Sequence, residues 1–138
     1  MHIDGACHCG AIRYEAEIDP AKVIVCHCTD CQINSSSAFR WGVMVKKEDF
    51  KLVAGTLKHY VKVAESGAER SLTFCETCAT SIYGSAVVDP QTYSLRLGTA
   101  RQARELTPAL QMWHRSALEW PQHPSDVPAV ATQPANLK

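Results

Sequence analysis

Seven cysteines in a chain of 138 residues are the feature that most restricts how this protein folds. They lie in three groups: Cys7 and Cys9; Cys26, Cys28 and Cys31; Cys75 and Cys78. An odd number of thiols does not pair off completely into disulfides, and a reducing compartment keeps thiols free. We therefore interpret the cysteines as metal ligands.

The remaining composition is that of an ordinary globular domain. Hydrophobic residues make up 46% and charged residues 20% of the chain, whose length fits one domain. The 14 basic residues balance the 14 acidic residues, so the charge predicts neither nucleic acid nor an anionic membrane as a partner. No apolar run approaches the roughly 20 residues of a membrane helix, and no signal peptide is visible. We therefore expect a cytoplasmic protein.

Short segments of alternating polarity, separated by turn residues, predict a mainly β fold. Residues 12–18 show this alternation most clearly. Further strands are predicted at 23–25, 41–45, 59–63, 70–74, 81–83 and 93–97. A short helix is expected after Cys28, capped by Thr29 or Asp30 and carrying Cys31 in its first turn.

The last part of the chain differs in composition from the rest. Four prolines occur from residue 121 onward, among small and polar residues. Such a composition indicates a tail rather than a further structural element. We therefore divide the chain into a zinc-binding domain of residues 1–120 and a Pro-rich C-terminal tail of residues 121–138.

The cysteine spacing predicts two metal sites. In an extended chain, residues i and i+2 point to the same face, so Cys7 and Cys9 present two sulfurs together. Cys75 and Cys78 are separated by two residues, the spacing of the tight turn that directs both thiolates at one zinc. We expect these two pairs to close one site, called the quartet, which consists of Cys7, Cys9, Cys75 and Cys78. The quartet would tie the N-terminal strand to a late hairpin, so its binding energy would become folding energy.

The other three cysteines, Cys26, Cys28 and Cys31, are called the trio and form a local cluster. Zinc prefers four ligands, and a fourth position left open is the arrangement of a catalytic zinc. Other interpretations of the pattern remain open. They are one structural zinc with three spare cysteines, an iron–sulfur cluster, and a closed trio site with His27 as fourth ligand.

Three segments together resemble one known family. They are residues 5–14 (GACHCGAIRY), 26–31 (CHCTDC) and 74–78 (FCETC). In order and spacing, the chain resembles the glutathione-dependent formaldehyde-activating enzymes, which include centromere protein V-like members. The likeness extends from about Gly5 to Trp120 and includes Gly55, Arg70 and Trp113. One motif alone would be weak evidence, but three in the right order are specific.

The resemblance implies a β-tent fold of stacked antiparallel sheets, with a structural zinc on the quartet and an active-site zinc on the trio. It also implies a carbon–sulfur lyase activity, in which formaldehyde joins glutathione or S-hydroxymethylglutathione is cleaved. Our leading hypothesis is a zinc-dependent lyase that acts on a small thiol adduct, with glutathione as the expected thiol partner. His27, Asp30 and the serines at 35–37 are candidates for proton transfer. A non-enzymatic zinc scaffold and a thiol or redox sensor are the alternatives.

The chain departs from the family pattern at three positions. Gln32 stands where the family usually has a basic residue, and Ser36 where it often has glycine. Ala79 follows the last cysteine, at another position that is often glycine. If that position needs a positive φ, alanine adds strain.

We predict that the purified protein contains two zinc ions per chain, because four and three thiolates account for all seven cysteines. Elemental analysis measures this ratio directly. A reproducible value near one, with all three trio cysteines open to alkylation, would remove the second zinc from the hypothesis.

Overall fold

A computed structural model describes residues 1–122 and 124–133, and ten strands form two sheets within this part of the chain. The strands are β1 (His2–Ala6), β2 (Arg13–Glu17), β3 (Val23–Cys26), β4 (Arg40–Lys46), β5 (Phe50–Ala54), β6 (Leu57–Val63), β7 (Glu69–Cys75), β8 (Ser81–Ala86), β9 (Thr92–Arg96) and β10 (Leu110–Met112). One α-helix, α1, spans Thr29–Ser35. Short 3-10 turns lie at Pro20–Lys22, Lys47–Asp49, Leu97–Thr99, Ala103–Glu105, His114–Ser116, Trp120–Gln122 and Pro124–Asp126.

The two sheets have different sizes. The smaller has the strand order β1-β2-β5, and the larger has the order β10-β3-β4-β9-β8-β7-β6. All pairs are antiparallel except β10 with β3, where a long connection brings a short strand back alongside β3. The mainly β fold predicted from the sequence is confirmed, with this one parallel pair at an edge.

The hydrophobic core lies between the inner faces of the two sheets. Ile3 and Tyr14 enter it from the smaller sheet, and Val43 and Leu95 from the larger, each with at most 1% of its surface exposed. Burying an aliphatic or aromatic side chain of this size contributes about 1.5–3 kcal/mol. The hydroxyl of Tyr14 bonds to Thr99 Oγ1 at 2.8 Å, so its polar end is satisfied inside the core.

The seven strands predicted by alternation are present, each within a few residues of the expected range. The pattern does not predict β1, β5 or β10, and each of these lies at a sheet edge. Three consecutive residues of β5 are exposed, and β10 has only three residues. Edge strands bury too little on one face to produce a clear alternation.

The helix α1 begins where the sequence predicts, but its cap is a cysteine. The Sγ of Cys28 accepts a hydrogen bond from the backbone N–H of Cys31 at 3.4 Å. The prediction that Thr29 or Asp30 caps the helix is therefore wrong, because a sulfur already occupies the position that accepts this N–H. The helix lies against β4.

The C-terminal part contains short 3-10 turns in the described residues after position 116. The predicted division at residue 120 stays a prediction, and residues 123 and 134–138 of the expected tail lie outside the described residues. Among the described helices, none combines the length and the apolar character that crossing a bilayer requires.

Two of the departures from the family pattern occupy left-handed backbone. Ser36 ends α1 with φ 49°, and Ala79 has φ 57° in the turn between β7 and β8. The left-handed region costs a residue with a Cβ roughly 1–2 kcal/mol, a cost that glycine avoids. Ala79 therefore has the positive φ at which alanine adds strain, and Ser36 is strained for the same reason.

We predict that Ala79→Gly stabilises the protein by about 1 kcal/mol, because it removes this strain. Thermal unfolding of the metal-saturated protein should show a midpoint raised by roughly 3–5 °C. Ala117→Gly is the matched control, since Ala117 has φ −64° and loses only chain stiffness. That variant should melt slightly lower, and equal shifts in both variants would contradict the strain argument.

Candidate metal centre

The four thiols of the quartet meet at one point between the two sheets. Their sulfurs all lie within 4.8 Å of one another. The sulfurs of Cys7 and Cys9 are 3.5 Å apart, and those of Cys9 and Cys75 are 3.8 Å apart. Four sulfurs placed tetrahedrally at about 2.3 Å from a zinc ion would be about 3.8 Å apart. The donor set and its spacing therefore fit a tetrahedral, thiophilic metal ion.

Two turns present these sulfurs. Cys7 and Cys9 lie in the turn after β1, where Gly10 N–H donates to Cys7 O at 3.0 Å, rather than in the extended segment expected from the sequence. Cys75 is the last residue of β7 and is buried, and Cys78 lies in the turn that follows. Thr80 connects the two turns: its Oγ1 accepts from the N–H of His8 at 3.1 Å and lies 3.1 Å from the sulfur of Cys78.

The trio forms the second group of converging thiols, also within 4.8 Å of one another. Cys26 ends the buried strand β3, Cys28 caps α1, and Cys31 lies in the first turn of that helix. Within the described part of the chain, no histidine or carboxylate completes this group. The trio thus offers three ligand atoms, one fewer than a tetrahedral metal takes.

His27 lies in the same segment but is directed elsewhere. Its side chain is 4% exposed, and its Nε2 lies 2.8 Å from Gln111 Oε1 on β10. The ring packs edge-on against Phe39 and His114. His27 therefore stabilises the contact between α1, β10 and the C-terminal turns.

The electrostatics of the trio favour negative charge on Cys31. A hydrogen bond from the Cys26 thiol and the nearby Arg40 guanidinium lower the pKa of Cys31 to about 4. Hydrogen bonding with Cys31 and burial raise the pKa of Cys26. Arg40 Nε donates to Cys31 Sγ at 3.2 Å, a charge-assisted contact. A partner of this kind orients a ligating sulfur and balances its charge.

A cavity of about 610 Å³ opens beside the trio. Its walls are α1, the outer face of the larger sheet and the turn that carries Cys78. Cys31 lines it, and so do Asp30 and Lys62, which form an ion pair with each other. Arg40 and Arg96 line it from the sheet, and Ala79 and Thr80 from the turn. The cavity is therefore bordered by one cysteine of the trio and by the two residues that follow Cys78 of the quartet.

The proton-transfer candidates named from the sequence separate in the structure. Asp30 and the serines at 35–37 line the cavity, whereas His27 does not. Ser35 Oγ already donates to the carbonyl of Cys31 at 2.7 Å, so it is bound to its own helix. Asp30 is the carboxylate that borders the cavity among the described residues.

The cationic residues of the cavity are not predicted by the sequence. Arg40 and Arg96 lie at strand ends, and Lys62 lies within β6. The only signal is a charged residue in an apolar strand segment, and such a residue equally often ends a strand at the surface.

Gln32, the departure nearest the trio, is outside the cavity lining. Its Nε2 donates to the carbonyls of His27 and Ser116, both at 2.8 Å. In this chain Gln32 therefore joins α1 to the C-terminal turns.

Taken together, the fold and the two groups of converging thiols define a β-rich metal-binding protein. Residues 2–116 match the family described as glutathione-dependent formaldehyde-activating enzyme, and the chain belongs to this family.

Two similar proteins place the chain further. A protein of Schizosaccharomyces pombe described as an uncharacterized lyase is 34% identical over 80 residues, which cover 58% of this chain and 55% of that protein. The match thus spans about half of that relative's length. A crystal structure of a Rhodobacter sphaeroides protein superposes with a TM-score of 0.61 and 22% identity, over 79% of this chain and 99% of that one. At this identity the likeness concerns the fold.

We predict opposite consequences for two cysteine-to-serine changes. Cys75→Ser should leave the protein without a cooperative thermal transition, because a metal ion held by the quartet contributes on the order of 10 kcal/mol to folding. Cys28→Ser should melt within a few degrees of the wild type, because serine is itself a preferred N-cap and retains the bond to α1.

Metal analysis of the same samples completes the experiment. The Cys28→Ser protein should hold one metal ion fewer than the wild type and keep its circular dichroism spectrum. If both variants melt alike, the division into a structural and an open group is wrong.

Proposed function

We propose that the chain is a zinc-dependent carbon–sulfur lyase-like enzyme that acts on a small thiol adduct such as S-hydroxymethylglutathione. The observation that carries the proposal is the trio, whose three thiols converge and whose Cys31 lines a cavity large enough for a small peptide. Membership of the formaldehyde-activating family and the lyase description of the yeast relative support the reaction class.

In this proposal each chain holds two zinc ions, with different tasks. The quartet holds a closed, structural zinc, and the trio holds the second through Cys26, Cys28 and Cys31, which makes these the catalytic ligands. Zinc bound by three thiolates supplies stabilisation of a substrate thiolate at neutral pH. The requirement for seven reduced thiols favours a reducing compartment, so we propose a cytoplasmic location.

The reaction also requires a proton acceptor from the chain. When an S-hydroxymethyl adduct is cleaved, the hydroxyl proton leaves, the carbon–oxygen double bond forms, and the electrons of the carbon–sulfur bond remain on sulfur. We assign the proton to Asp30, whose carboxylate borders the cavity one residue before Cys31. Lys62, only 19% exposed, pairs with Asp30 and fixes its orientation. In the reverse direction Asp30 returns the proton to the oxygen of formaldehyde.

The test is the exchange between ¹³C-formaldehyde and S-hydroxymethylglutathione, which magnetization-transfer NMR follows at equilibrium. The zinc-loaded protein should accelerate the exchange well above the spontaneous rate, and Cys28→Ser should remove the acceleration. If the protein with two zinc ions bound accelerates exchange for neither glutathione nor other small thiols, the lyase proposal is wrong and the non-enzymatic zinc scaffold remains. Loss of zinc with disulfide formation under mild oxidant would instead favour the redox sensor.

We predict that Asp30→Asn lowers the exchange rate roughly 100-fold, because positioned acid–base groups contribute about that much. Zinc content and melting temperature should stay near the wild-type values. Asp126→Asn, in an exposed turn, is the matched control and should have no effect. An unchanged rate in the Asp30 variant would assign the proton transfer to solvent or another group.

A further inference from the structure

Two arginines on the outer face of the larger sheet have no carboxylate partner. Arg40 on β4 and Arg96 on β9 both line the cavity, and both are partly buried. Across residues 1–122 and 124–133, none of the ion pairs includes either of them. A partly buried cation is costly unless an anion lies close to it, and of these two arginines only Arg40 has one among the described residues, the sulfur of Cys31.

The sheet provides space for both guanidinium groups. A Cβ at Gly42 would lie 3.3 Å from Arg40 Nη1, and a Cβ at Gly84 would lie 3.2 Å from Arg96 Nη2. Between them stands Ser94, whose Oγ accepts hydrogen bonds from Nη1 of both arginines. The two guanidiniums are therefore held next to each other on a floor of glycine and serine, one strand apart.

The charges of the two arginines are balanced differently. Arg40 donates to Cys31, so it offsets the negative charge of the trio; three thiolates with one zinc carry a net charge of about −1. Within the described part of the chain, Arg96 Nη1 donates to the carbonyl and to the Oγ of Ser94, both at 3.4 Å, and to no other residue. Burial and the adjacent Arg40 lower the pKa of Arg96 to about 10, against the opposing attraction of Cys31 and Cys26. Among the described residues, Arg40 thus contacts an anionic group directly, whereas Arg96 contacts only the neutral Ser94.

We propose that Arg96, with Arg40 beside it, binds a carboxylate of the thiol substrate, so that the enzyme selects thiols that carry a carboxylate at a distance from the sulfur. This inference rests on the proposed function, because it takes the trio as the place of the substrate sulfur. The planar guanidinium matches a carboxylate in a bidentate manner. Arg40 contacts Cys31 on one side and shares Ser94 with Arg96 on the other. The expected sulfur position at the trio and the expected carboxylate position at Arg96 are therefore separated by the side chain of Arg40.

Binding is measured by titration calorimetry of the zinc-loaded protein with S-methylglutathione, which has both carboxylates and does not react. Its diethyl ester, with neither carboxylate, is the comparison ligand. We expect the acid to bind roughly 10- to 100-fold more tightly than the ester, the effect of one or two charge-assisted hydrogen bonds. In Arg96→Met this ratio should fall to about one, which excludes the size of the ester as the cause.

Two further variants make the test specific. Arg70→Gln removes one positive charge near Arg96 from a residue outside the cavity lining and should keep the preference for the acid. Gly84→Ala keeps every charge but places a methyl group against Arg96 Nη2, and it should weaken the preference. It also replaces Arg96→Met if that variant does not fold. If the Arg70 and Arg96 variants lose the preference for the acid equally, the preference arises from the overall positive charge of the region, and the proposal is wrong.

The same samples distinguish this proposal from the enzymatic one. If exchange of S-hydroxymethylglutathione is accelerated while acid and ester bind alike, or while S-methylglutathione does not bind, the carboxylate site is wrong and the lyase stands. If the acid binds through Arg96 but no thiol is turned over, the anion site stands and the lyase is wrong.

Discussion

The junction of four sulfurs between two turns is the contact on which the other features of this structure depend. The smaller sheet has only a few buried side chains with which to hold the larger one. The quartet joins the turn after β1 to the turn after β7, and Thr80 adds a hydrogen bond between the same turns. Because Ala79 and Thr80 also line the cavity, the turn that carries Cys78 of the quartet forms one wall of the candidate site.

The two groups use the same chemistry in different local settings. The quartet draws on two segments far apart in sequence, so bringing its sulfurs together requires the tertiary fold, and a metal ion bound there would stabilise that fold. The trio comes from one strand end and the first turn of a short helix. Loss of one trio cysteine would therefore affect local order, and a metal ion held by three thiolates would have a fourth position open to exchange.

The sequence predicts the parts of the molecule that local rules determine. The strands with a buried face alternate visibly, and both cysteine groups follow from spacing alone. The sequence pattern does not predict the edge strands β1, β5 and β10, because these strands form by pairing with a neighbouring strand and not through alternation of their own residues. The pair of arginines in the cavity is not predicted for a related reason. Arg40 and Arg96 lie 56 positions apart in sequence, and the pairing of β4 with β9 makes them neighbours. A net charge of zero conceals this concentration.

Several unfavourable local choices occur together around this one cavity. Ser36 and Ala79 line it with left-handed backbone, which costs each of them roughly 1–2 kcal/mol. Arg40 and Arg96 line it without a carboxylate partner among the residues that the structure describes, above glycines that weaken their strands. Independent costs of this kind tend to accumulate where stability is given up for function. The strained residues, the two arginines and Cys31 of the trio all line the same cavity, so they favour it as the candidate site independently of any relative.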